Sequence, residues 1–145
     1  MSKQADIFKS ITLCASLTLT GIPSVLAQGV SDEVSGVVFD MKGCQRQRKA
    51  LICTGRITST ERDALLVLDS LNTSLTDESG DQYIAESVQA GAPYNYGMTN
   101  LIRNVPLKTT IVFRNIPNNN KSIPLITFAT KFTGTFQLKN INISN

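Results

Sequence analysis

Few side chains in this chain could do chemistry, and one absence narrows them at once. None of the 145 residues is a histidine. That removes the usual general base of serine and cysteine hydrolases. It also removes the commonest ligand of catalytic zinc, copper and non-haem iron. Serines and threonines are plentiful but lack an imidazole to activate them. Paired carboxylates could serve a glycosidase, but the spacing of Asp40, Asp69 and Glu86 forces no two of them together. The chain is expected to have no catalytic residue, no enzyme activity and no cofactor.

Three polar clusters remain. Asp77, Glu78 and Asp81 crowd one short stretch, and hard cations want several oxygen ligands. The stretch lacks calcium-loop spacing and a distal glutamate. Turn chemistry is expected instead, with Asp and Ser capping the local backbone and Gly80 taking a positive φ, and no metal. Lys42, Arg46, Arg48 and Lys49 form the one basic cluster. They are candidate contacts for anionic lipid or glycan, or a solvated hairpin tip that blunts edge pairing. Tyr94, Asn95, Tyr96 and Arg103 fall in residues 89–106, a stretch rich in Gly, Pro and Asn. Tyrosine gives rigid amphipathic contact area and asparagine adaptable hydrogen bonds. These four are the candidate partner-binding residues.

Residues 1–27 read as a secretory signal peptide. Lys3 and Lys9 make a positive leader, Ile11 begins an apolar run, Gly21 and Pro23 break it, and Val25-Leu26-Ala27 supplies small residues for cleavage before Gln28. The apolar run is short and interrupted by Thr and Ser, poorly suited to cross about 30 Å of hydrocarbon. A lipid anchor on Cys14 would want a small residue where Leu13 stands. No transmembrane segment is expected after cleavage. Residues 28–145 then form one domain. The formal net charge, +3 for the whole chain, is too small for a nucleic-acid binder.

Cleavage leaves two cysteines, Cys44 and Cys53. An even count in an oxidising compartment reads as a disulfide, the other reading being two buried thiols. The elements around them support the bond. Val37, Phe39 and Met41 alternate with Val38, Asp40 and Lys42, the period of a half-buried strand. A polar tip over residues 43–49 leads to a second alternating strand from Ala50 to Thr58. The two cysteines thus sit on adjacent antiparallel strands.

Beyond them, Ala64 to Leu68 is apolar and of strand length, with a short helix as the competing reading. Residues 75–83 carry the clearest hairpin signal, and residues 83–88, 108–114, 123–129 and 131–143 read as further strands. Along the last, the apolar phase running through Phe132, Phe136 and Leu138 gives way to Ile141 and Ile143, which predicts a bulge near Lys139 and Asn140. Residues 28–33 read as a flexible lead-in. Seven to eight short strands with recurrent turns and one-sided apolar faces predict an all-β, antiparallel sandwich.

The sequence resembles exported bacterial immunoglobulin-like domains of unknown function. The resemblance rests on Phe39 and Cys44, then Cys53 and Ile57, "SLTDESGDQY" from Ser74, "VPLKTTIVFRNIP" from Val105 and "FQLKNINI" from Phe136. It implies an immunoglobulin-like β-sandwich in a bacterial envelope or extracellular setting, an adhesive or scaffold module without a defined activity. The expectation is a secreted or periplasmic binding or structural module that recognises a protein or cell-surface partner through residues 89–106. The first alternative is a cell-envelope domain holding anionic lipid or glycan on the basic hairpin 42–49, and the second an enzyme inhibitor.

Overall fold

The computed structural model describes residues 29–91 and 97–145. Among them the protein is all-β apart from one short 3₁₀ turn, Ser70–Asn72. There are eleven strands where seven or eight were expected: β1 Val30–Val34, β2 Val37–Gln47, β3 Ala50–Ser59, β4 Ala64–Val67, β5 Ser74–Thr76, β6 Gln82–Ile84, β7 Ser87–Ala90, β8 Met98–Leu101, β9 Leu107–Arg114, β10 Ser122–Ala129 and β11 Thr135–Ser144. The additions carry polar side chains. β1 replaces the expected lead-in, and its Asp32 accepts the Gln137 backbone N–H at 2.8 Å, tying β1 to β11.

Hydrogen bonding runs unbroken through β6-β5-β10-β11-β2-β3-β9-β7, with β1 added on β2. The sheet is mixed, because β11 meets β2 in parallel at Ile143 and Cys44. It curls almost closed. β6 and β7 are its two edges, yet only Ala85 and Glu86 separate them. The Ala85 N–H donates to Thr73 O on one side, and the Glu86 N–H donates to Val112 O on the other, both at 2.8 Å. Exposed edges invite association, and both edge strands are short, three and four residues. β4 and β8 form a separate two-stranded ribbon.

The inward faces build one core. Phe39 on β2 lies 4.7 Å from Phe128 on β10 and 6.0 Å from Phe136 on β11, ring centre to ring centre. All three are fully buried, with Leu51, Ile57, Ile111 and Phe113 around them. Truncating such a phenylalanine typically costs about 3–5 kcal/mol.

Cys44 and Cys53 are disulfide-bonded and directly opposed in the β2–β3 register. A bulge makes that possible. The register slips between Met41 and Gly43, so Lys42 is the extra residue. The slip turns Cys44 inward instead of Gly43. Gly55 is required here, since a Cβ would run into the Asp40 carbonyl oxygen. The bulge expected near Lys139 is absent: Ile126 pairs with Leu138 and Ile123 with Ile141 in one constant register. Both strands change their buried phase together, at Pro124 and Asn140. Pro124 has no N–H to give the ladder, and Asn140 takes a φ of 56°.

Candidate functional site

β2 runs the length of the molecule, roughly 30 Å, and the charged and apolar candidates sort to its two ends and to the sheet face between. At the Gln47 end, Arg46 and the acidic cluster are consumed internally, while Arg48 and Lys49 are not. The tip expected over residues 43–49 is strand as far as Gln47, and Arg48 and Lys49 alone make the turn, with Arg48 at a φ of 57°. Arg46 therefore lies on β2. Its guanidinium clamps the turn after β9: Nη2 donates to Pro117 O at 2.9 Å and Asn120 O at 3.1 Å, and Nη1 to Ile116 O at 3.3 Å. Arg48 and Lys49 are exposed.

The acidic cluster belongs to the same end and does turn chemistry. The buried Asp77 carboxylate accepts the N–H groups of Ser79 and Asp81, both at 2.9 Å, and the Tyr83 hydroxyl at 3.3 Å. Gly80 has a φ of 87°. Glu78 Oε1 accepts the Lys121 and Ser122 N–H groups at 3.0 Å. These two bonds, Ser122 foremost, hold the Glu78 carboxyl below its ordinary pKa. Burial, and then the negative Asp77, raises that of Tyr83. Among the described residues no cluster of acidic, cysteine and histidine side chains could hold a metal ion.

The Val37 end is different. Residues 89–106 do not form one long loop: the end of β7 and all of β8 fall within them, and β8 pairs with β4, Leu65 facing Asn100 and Leu66 facing Thr99. Tyr94, Asn95 and Tyr96 lie outside the described residues. Arg103 is exposed, and its backbone N–H donates to Asp63 Oδ1 at 2.8 Å, fixing the chain after β8.

Among the large apolar side chains that stand in solvent at this end, Leu65 is 47% exposed, Ile102 52%, Val105 50% and Phe132 76%. Leu65 and Phe132 line one groove of 460 Å³, with Ser35, Arg62, Asp63 and Thr133 at its rim. Leu65 and Ile102 line an adjoining hollow. Phe132 was expected on the inward face with Phe136, but β11 begins only at Thr135, and Phe132 sits in the turn before it. Its neighbours Lys131 and Thr133 gave no signal, since the fully buried Phe136 also stands between polar residues, Thr135 and Gln137.

The fourth basic residue, Lys42, stands apart from the other three. The bulge leaves it exposed on the outer sheet face beside Thr54, where Arg56 of β3 and Lys108 of β9 join it. Sequence reasoning missed Arg56 and Lys108, because only the register brings them together.

Neither a scan against protein-family models nor searches of the curated proteins and of the solved structures returned a match. No helix among the described residues is long and apolar enough to cross a membrane.

Proposed function

We propose that this chain is a bacterial secreted or periplasmic binding module, related in kind to exported immunoglobulin-like domains, that recognises a protein partner through the Val37 end of its sheet. The carrying observation is the set Leu65, Ile102 and Phe132, exposed side by side along two adjoining hollows. Contiguous exposed apolar surface rimmed by polar groups marks interaction sites. Large apolar and aromatic anchors at the centre of such a patch carry most of the binding energy. Residues 97–106 supply Ile102 and the β8 side of the surface, so the partner-binding segment expected at 89–106 contributes together with β4 and the turn at Phe132.

Export fits the same picture. The signal-like residues 1–27 precede a domain closed by a disulfide, and such bonds persist in oxidising compartments.

Two measurements on the full chain expressed in its own cells test this reading. Mass spectrometry of the accumulated protein should find Gln28 at its N-terminus. Affinity capture from envelope and culture fractions should recover a partner that a Leu65→Ser/Phe132→Ser variant loses and an Arg48→Ala variant keeps. Recovery of the same partner by both variants would sink the assignment of the surface, and an intact leader would sink the compartment.

A further inference from the structure

The outer face of β2, β3 and β9 gathers three cations in one hollow. Arg56 stands opposite Lys108 in the β3–β9 register, and the bulge sets Lys42 next to them. With Thr54 and the backbone of Gly55 they line a shallow cavity of 340 Å³. All three cations are exposed, and none forms an ion pair with a described residue. Arg114, further along β9, does, to Glu86. Like charges directly opposite one another across a ladder destabilise it, so the fold gains nothing from setting Arg56 against Lys108. Asp40 faces Arg56 from β2 and offsets one of the three charges, which leaves a formal surplus of two.

From this we infer that the hollow is a binding site for a small doubly charged oxyanion, a phosphomonoester or sulfate group. The charge balance selects the class. A carboxylate would leave one cation uncompensated, whereas a phosphomonoester carries about −1.5 to −2 at neutral pH. Three donors from three strands suit a group presenting several acceptor oxygens, and the Thr54 hydroxyl adds a neutral donor at the wall. The like-charge repulsion that works against the empty hollow becomes attraction once the anion is in place. The proposal does not use the apolar end, whose exposed side chains Leu65, Ile102 and Phe132 stand on β4, after β8 and before β11.

The test is a titration of the purified protein with inorganic phosphate at constant ionic strength and about pH 7.5, read by backbone amide NMR shifts. The expected result is saturable shifts at Lys42, Thr54, Arg56 and Lys108. Arg56→Gln and Lys108→Gln should each weaken binding by about two- to fivefold, the scale of one exposed charge contact. Arg48→Gln, a cation outside the hollow, should leave it unchanged. Lowering the pH from about 7.5 to about 6 should weaken phosphate but not sulfate, because only phosphate gains a proton over that range. Vesicles of phosphatidic acid in phosphatidylcholine separate the sources. Binding to them that Arg56→Gln weakens assigns the anion to a lipid headgroup, and phosphate binding without vesicle binding assigns a soluble one. Shifts that never saturate, or saturable binding indifferent to Arg56→Gln and Lys108→Gln, would overturn the site.

Discussion

The two ends of β2 solve opposite problems. At the Gln47 end, Arg46, Asp77, Glu78 and the buried Asn120 spend their hydrogen-bonding capacity on the turns around them. At the Val37 end, backbone bonds such as Asn104 N–H to Ser59 O and Lys131 N–H to Val67 O hold the loops, while Leu65, Ile102 and Phe132 are left in water. A charged residue whose bonds are all internal is part of the fold, however prominent it looks in the sequence. An apolar side chain that the fold leaves uncovered is available to something else.

Breaking the Gln47 end should cost the most stability. Arg46→Ala strands the carbonyls of Ile116 and Asn120, and hydrogen bonds to charged groups are worth about 1.5–3 kcal/mol each. A loss of about 2–4 kcal/mol in unfolding free energy, read from urea unfolding, is expected, with partner capture by the folded fraction unchanged. Arg46→Lys should restore little, since an ammonium cannot reproduce the planar fork.

Opening the disulfide that joins the two hairpin arms comes next. Its short loop corresponds to about 2–3 kcal/mol in the chain-entropy model, measured as the shift between oxidised protein and a Cys44→Ser/Cys53→Ser variant.

Acid provides a finer probe of the same end. Folding lowers the Glu78 pKa, so the native state holds fewer protons there than the unfolded chain does. The stability this contributes is present above the ordinary carboxyl value of 4.5 and is lost as the pH falls through the lowered one. Glu78→Gln should flatten that part of the pH–stability curve.

The smallest effect on stability belongs to the Val37 end. Leu65→Ser/Phe132→Ser removes exposed side chains and should change the unfolding free energy by about 1 kcal/mol or less. The same double variant is the one expected to lose the partner. Equal destabilisation by Arg46→Ala and by this variant would erase the contrast between the ends.

Sequence reading went as far as buried side chains reach. The alternation of Val37, Phe39 and Met41 and the opposition of Cys44 to Cys53 were legible because hydrophobic period and cysteine parity are local signals. β1 and β8 were not, since strands of five and four residues with two apolar side chains each are too short for a period to show. Arg46 looked like a free cation because its acceptors, the carbonyls after β9, lie some 70 residues away. Arg56 and Lys108 were invisible as a pair for the same reason: register is a property of the folded sheet.

The proposed recognition surface can be probed in living cells. A photo-crosslinking amino acid is placed at Phe132 in one strain and at Gln47 in another, and both are irradiated in living cells. A discrete protein adduct from position 132, with none from position 47, is the predicted outcome. Adducts from position 47 alone would contradict the account, because they would put the partner on the end whose polar groups the fold has already used.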